Sequence, residues 1–438
     1  MTTVDATTPA AAPEARARYR DVLGGREFRV IFTANIVSML GNVVASVALT
    51  VLIYQRTGSP ALAALVMALS FLPYLVGGVL LGAVVDRLPA RRVLVGCDLA
   101  SAAVVAIMVI PGIPVAGLLA LLFAEGLIAP VFQSVRAAVL PDILAPGPPY
   151  VLGRSLMRLV AQGAQIAGYG AGGLLLAFLP PREALAADAL SFAASAGLLR
   201  LGITWRAAAR SGREDHSRRR GMAGDSLAGA RAALAHRATR RILLFGWLVP
   251  ACSVAPEALA APYATHIGQP ARVAGFLLMA MPAGTVAADV LAARLLTPGW
   301  QRRIIVPAAL LSFAPYLFFA ASPGLAVALV LLAVSGLGSA YMAGMDGLLV
   351  AVAPPELRNR ALALSNSGLM FTQGAGFALW GLAGQYLPLP VVIPAAAAAG
   401  AVAVVALRPR AGDPGQPGGA RVQEAWRRCG DDLGRSRS

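Results

Sequence analysis

Twelve apolar runs, each close to the twenty residues that carry a helix across a bilayer, follow one another with short polar breaks between them. They occupy residues 29–54, 61–85, 93–110, 115–135, 157–179 and 184–203, and then 242–266, 271–296, 304–321, 324–353, 361–387 and 389–407. In lipid every backbone polar group must be satisfied internally, so only helices or closed barrels cross. Runs of this length predict an all-α integral membrane protein. Composition agrees: 13% of residues are charged, against about 25% in a soluble domain. Pro111, Pro323 and Pro388 set the boundaries before runs 4, 10 and 12.

The basic residues, all of them arginine, test that count. With the N-terminus on the cytoplasmic side, 34 of the 37 fall in inner segments, and only Arg56, Arg182 and Arg272 fall outside. Moving the register by one span would scatter the asymmetry, so the positive-inside rule places both termini in the cytoplasm. The same distribution removes nucleic acid as a partner, because the net charge of +16 follows membrane sidedness and forms no single basic face. Residues 1–28 have no apolar core of their own and are expected to be a cytoplasmic tail.

The longest inner loop, 204–241, holds a polar stretch and then Leu227, Ala230, Leu234 and Ala238 at helical spacing. An amphipathic helix on the inner membrane surface is expected there. This loop divides the chain into a six-helix bundle over 29–203 and a second over 242–407, with a disordered cytoplasmic tail at 408–438. The halves echo each other. Leu140-Pro141-Asp142-Ile143 after run 4 and Pro354-Pro355-Glu356-Leu357 after run 10 are 214 residues apart, and Asn42 and Glu257 are 215 apart. Paired halves suit a carrier that rocks one bundle against the other.

Several short phrases carry a family resemblance. Between runs 2 and 3, Gly82, Asp86, Arg87, Arg91 and Arg92 are spaced G-x-x-x-D-R-x-x-x-R-R, which resembles the signature loop of the major facilitator superfamily. In run 1, Asn35-x-x-Ser38-x-x-Gly41-Asn42 is similar to a pattern of its drug-exporting branches, with Asn42 in place of an acid. Gly168, Gly172 and Gly173 in run 5 resemble the antiporter motif of that span, and by themselves read as close helix packing. The resemblance implies a fold of twelve helices in two six-helix halves. It also implies that Asp86 and Arg87, backed by Arg91 and Arg92, latch the cytoplasmic side. Further inner-side charges are Arg136, Asp142, Glu356, Arg358 and Arg360.

Acids inside the spans are costly, about 2.5–3.5 kcal/mol each at a helix centre, and therefore informative. Asp98, Asp289 and Asp346 lie near Arg91/Arg92, Arg294 and Arg358/Arg360, and Asp188 lies near Arg182. These read as ion pairs or solvated rims. Glu125 and Glu257 differ, since each lies several turns from water with no arginine at its depth. Such a carboxyl takes up or releases a proton as a cavity opens to one side or the other. Pro250, Pro256 and Pro262 predict a kink around Glu257. Asn35 and Asn42 join the two glutamates as cavity candidates, and Tyr74, Tyr169 and Tyr341 are possible lining residues.

No enzyme constellation stands out. His216, His236 and His266 lie in two loops on opposite sides, so no metal cluster is expected, and without a Walker loop no nucleotide or other cofactor is called for. The sequence thus points to a monomeric secondary transporter of the cell membrane that exports amphiphilic small molecules in exchange for protons. An importer or uniporter of a specific metabolite, or a lysophospholipid-type lipid transporter, is the alternative.

Overall fold

The computed structural model describes residues 22–73, 89–144, 148–204, 231–295, 298–354 and 357–408. No strand occurs among them. Before residue 205 the helices are α1 (Arg26–Thr57), α2 (Pro60–Phe71), α3 (Ala90–Val109), α4 (Val115–Ile143), α5 (Pro148–Phe178) and α6 (Pro181–Gly202). After residue 230 come α7 (Arg237–Ser253), α8 (Ala255–Ala258), α9 (Ala260–His266), α10 (Ala274–Leu295), α11 (Pro298–Arg303) and α12 (Ile305–Leu311). The chain closes with α13 (Leu325–Leu337), α14 (Met342–Val352), α15 (Arg358–Tyr386) and α16 (Leu389–Leu407). Three 3₁₀ stretches, Ala271–Val273, Ala314–Ala321 and Gly338–Tyr341, interrupt this second segment.

Seven of these elements are long and apolar enough to cross a membrane: α1, α3, α4, α6, α7 with α8, α10 with its leading 3₁₀ turn, and α16. Pro60–Phe71, Ile305–Ala321 and Leu325–Tyr341 are apolar but shorter. The 31-residue α5 and 29-residue α15 also have the length.

Local chemistry sets the boundaries. α1 stops at Gly58, whose φ of 64° is left-handed and suits a residue without a Cβ. Ser59 then caps α2 by accepting from the Leu62 N–H at 3.2 Å, and Pro60, which has no N–H to lose, opens the helix. α7 begins at Arg237, inside the stretch read from sequence as linker. The reason is His236, whose Nδ1 accepts from the Thr239 N–H at 3.3 Å and starts the helix there.

In the first segment α1 packs on α5 and α6, α6 on α3, and α3 on α4. In the second α10 packs on α13, and α7 on α15 and α16. The segments meet through α2 with α15 and α5 with α10. The contacts are tight. A Cβ on Gly275 would lie 2.4 Å from the Gly173 nitrogen, and one on Gly381 would lie 2.2 Å from the Ala64 Cβ. Phe71 stacks on Phe377 with ring centroids 5.6 Å apart. The Ser59 hydroxyl donates to Gln385 Oε1 at 2.7 Å, and the Tyr54 and Thr265 hydroxyls are 3.0 Å apart.

These contacts gather at the end of the molecule that carries Thr57, Phe178, His266 and Tyr386, called here the closed end. Towards the other end, where α1 starts and α16 stops, α15 leaves Asn366, Ser367 and Phe371 exposed. Large apolar side chains such as Phe178, Leu201, Phe318 and Val402 are also exposed, as lipid-facing residues should be.

Candidate functional site: two carboxylates between and within the helical segments

Glu257 occupies α8, a four-residue helix set off by turns at Val254 and Leu259, with the Ala258 N–H still donating to the Val254 carbonyl at 2.9 Å and the Tyr263 N–H to the Leu259 carbonyl at 2.7 Å. The turns follow from the prolines. Pro250, Pro256 and Pro262 withhold the N–H groups that would bond one turn back, so the predicted kink is a double interruption. Val254, Ala255, Pro256 and Ala258 are buried around it, while Glu257 keeps partial exposure. Tyr169 of α5 and Tyr316 of the second segment both lie within electrostatic range of the Glu257 carboxylate. Tyr316 is fixed there by donating to the Ser253 carbonyl at 3.0 Å, which satisfies a backbone group at the end of α7. Tyr169 is held at the segment boundary, since its carbonyl would lie 2.8 Å from a Cβ on Gly275. The Glu257 carboxylate therefore acts electrostatically on a tyrosine from each segment.

Glu125 lies elsewhere. It is buried on α4, and Asn42 of α1 donates to its Oε1 at 3.4 Å. Two of the sequence candidates are thus brought together inside the first segment. Asn35, two turns before Asn42, does not join them: it is buried and its Nδ2 approaches Met39 Sδ at 3.5 Å.

The expectation that Asp98 and Asp188 pair with nearby arginines is not met. Asp98 is buried and accepts from the Ser195 hydroxyl at 2.5 Å. Asp188 is buried and accepts from the Ser191 hydroxyl at 3.1 Å. The arginines cap helix ends instead: Arg182 donates to the Val109 carbonyl at 3.0 Å, and Arg91 donates to the Arg200 carbonyl. Backbone carbonyls at helix ends lack partners, so a long guanidinium reaches them without burying its charge. Ser191 and Ser195 were not legible as site residues, because single serines in an apolar run give no signal of what they face. Asp289 is exposed and partnered, and Asp346 has no described side chain.

Among the remaining candidates, Gly168 and Gly172 lie against Val43 and Val47 of α1, where a Cβ would approach to 2.7 and 3.2 Å. Gly173 faces Gly275 across the segment boundary. Tyr341 is buried edge-on against Phe245, 5.8 Å between centroids. Arg136 lies over the Phe132 ring, and Arg92, Arg358 and Arg360 are exposed. Asp142 lines a surface cavity of about 440 Å³ with Arg26, Glu27 and Thr204. Glu27 accepts there from the Thr204 N–H at 2.8 Å. That cavity is built by the first segment alone, away from Glu257. Gly82, Asp86, Arg87, Tyr74 and Glu356 lie outside the described residues, as do residues 205–230 of the expected inner loop.

Comparison with known proteins places this architecture. No curated protein matches the chain. Among solved structures, a peptide transporter POT superposes with a TM-score of 0.68 at 13% identity, covering 87% of this chain and 93% of that one. The nucleoside transporter NupG gives 0.64 at 15% identity over 86% and 98%. A bacterial homolog of the human lysosomal transporter Spinster, in an inward-facing and occupied conformation, gives 0.59 at 14% identity over 87% and 92%. These likenesses show the fold. Residues 22–412 match the family described as transmembrane secretion effectors, so the chain belongs to that branch of the major facilitator superfamily and is a multi-pass membrane transporter.

Proposed function

We propose that the protein is a monomeric secondary exporter of amphiphilic small molecules in the cell membrane, driven by proton entry, with Glu257 as the coupling carboxyl. The observation that carries the reading is the placement of Glu257 on a short helix between two turns, within electrostatic range of Tyr169 of one segment and Tyr316 of the other. A carboxylate in that position can hold either a proton or a cationic substrate, and motion of one segment against the other changes which side reaches it. Exchange follows when the two ligands compete.

The sidedness of the arginines supports twelve crossings in two six-helix bundles with both termini cytoplasmic. On that reading the closed end faces outward, and the exposed face of α15 at Asn366 and Ser367 belongs to an inward-open cavity. A proton moving inward gains about 2.3 kcal/mol per 100 mV, sufficient for tens-fold accumulation.

Glu257→Gln in proteoliposomes tests the assignment. The amide keeps the shape and removes titration, so gradient-driven export is expected to vanish while downhill exchange persists. Export by the variant at the parental level against a gradient would sink the reading.

A further inference from the structure

We propose that the first segment carries its own proton path, a relay through the bundle interior from Glu125 by way of Asp188 to Asp98, separate from the cavity at Glu257. It rests on the reading that transport is proton-coupled and names a route for those protons.

The groups form one line. Asn42 donates to Glu125 Oε1 at 3.4 Å. The residue beside it, Gly41, leaves the space that Asp188 and Ser191 fill: a Cβ there would lie 2.4 Å from Asp188 Oδ1 and 2.2 Å from Ser191 Oγ. Only glycine lets the α6 acid sit so close to α1 next to Asn42. Ser191 donates to Asp188 Oδ1 at 3.1 Å, and Ser195, one turn on, donates to Asp98 Oδ2. Residues four apart on a helix share a face with Cβ atoms about 5–6 Å apart, a gap that one water bridges. From Asp188 to Ser195 the line advances about 10 Å along α6. Its acids are shielded, with relative exposures of 2% for Asp188, 3% for Asp98 and 9% for Glu125, as is Ser195 at 0%, while Asn42 and Ser191 are half-buried.

Several arginines near the line bond to backbone carbonyls elsewhere. On the helices packed around α6, Arg182 and Arg91 bond to the Val109 and Arg200 carbonyls, and Arg56 donates to the Ile113 carbonyl. Arg26, Arg29, Arg92 and Arg200 sit at helix ends, and Arg154 and Arg158 belong to the first third of α5. Among the described residues, the Glu125 carboxyl acts on Asp188, and Asp98 acts on Cys97, next to it.

Hydrogen bonding alone does not account for these acids. Asparagine would accept the same bonds from Ser191 and Ser195 without the insertion cost of an ionisable group. What asparagine lacks is an exchangeable proton. In the relay each carboxyl hands on a proton as it receives one, and each serine hydroxyl takes one while releasing its own. One proton advances, and only O–H bonds form and break.

The full chain in proteoliposomes, with ethidium as the probe cation, an imposed pH gradient and a trapped pH dye, tests the route. In Asp188→Asn and Asp98→Asn the coupled proton flux is expected to fall on the order of 100-fold while downhill ethidium equilibration stays parental. The second variant keeps an acceptor for Ser195 and so serves if the first does not insert. Parental proton flux in Asp98→Asn overturns the relay and leaves the Glu257 reading intact. Ethidium movement by the parent without protons overturns both. A substrate-free arm decides if ethidium does not cross: pH-difference infrared spectra of the purified protein in the carboxylic carbonyl region. Asp98→Asn should remove one band and shift the others, since the carboxyls share protons. Remaining bands that stay unmoved would overturn the relay.

Discussion

Gly275→Ala offers a direct probe of how the closed end works. The added methyl would lie 2.4 Å from the Gly173 nitrogen, 2.5 Å from its Cα and 2.8 Å from the Tyr169 carbonyl. All three are backbone atoms of α5, so no flexible side chain can move aside. Overpacking of this kind costs about 1–3 kcal/mol, equivalent to about a 5- to 140-fold change in an equilibrium constant. If this contact exists only when the segments are closed at this end, the cost falls on that state alone and the population moves towards opening there. Spin labels at Thr57→Cys and Gln269→Cys, both exposed and one on each segment, would report a longer distance in the variant. Gly284→Ala is the control. Its methyl would lie 2.0 Å from the Ala333 carbonyl, within the second segment, so it should lower thermal stability without altering the distance. A Gly275→Ala protein that loses stability with an unchanged distance distribution would refute the idea that α5 and α10 separate during the cycle.

Ser59→Ala removes the 2.7 Å bond to Gln385 at the same end. About 0.5–1.5 kcal/mol should be lost from the closed state, a few-fold shift in the same distance measurement, and no shift would mean that water replaces the bond. For topology, a membrane-impermeant thiol reagent should label Arg272→Cys from outside and leave Arg213→Cys unlabelled until the membrane is opened. Labelling of both from outside would overturn the assigned sidedness. The resemblance of the loop between runs 2 and 3 implies that Asp86→Asn slows turnover while expression persists. Unchanged transport would reduce that loop to a topological anchor.

Helix class was legible in the sequence because the bilayer enforces it: apolar length is a nearly one-dimensional signal. The interruption around Glu257 was legible because Pro250, Pro256 and Pro262 fall close together there, whereas a single proline such as Pro130 sits inside the unbroken α4. Side-chain partners were not. Asp188 sits six residues from Arg182 in the chain, which suggested a pair, yet the guanidinium reaches the Val109 carbonyl and the carboxylate turns inward to Ser191. Sequence distance along α6 says nothing about α3, which supplies the partner of Arg182. Gly41 shows the same limit, because its role depends on which α6 side chains fill the space beside it.

The two segments also differ in how they are built, and the difference bears on where motion is absorbed. α1, α3, α4, α5 and α6 run unbroken for 20 to 32 residues. In the second segment the chain breaks at Val254 and Leu259, turns 3₁₀ over Ala314–Ala321 and again over Gly338–Tyr341. These interruptions are bonded to one another. Tyr316 donates to Ser253 at 3.0 Å, and Ser335 donates to the Ser312 carbonyl at 2.6 Å. Gly338 lies so close to Ser312 that a Cβ would meet its nitrogen at 2.4 Å. A helix interrupted in this way re-forms its bonds at lower cost than a continuous one, so the second segment is the one expected to deform around Glu257. Tyr316→Phe isolates the link. It preserves the buried ring and removes the hydroxyl with its bond to the Ser253 carbonyl and its weaker 3.6 Å contact to Met281 Sδ, at a cost of about 1–3 kcal/mol because the Ser253 carbonyl loses its tyrosine donor. Amide hydrogen exchange should then quicken over residues 252–259 by about 5- to 150-fold, with little change in α1 or α6. Uniform acceleration through both segments would mean that the hydroxyl stabilises the whole fold, and unchanged exchange at 252–259 would mean that the breaks move independently.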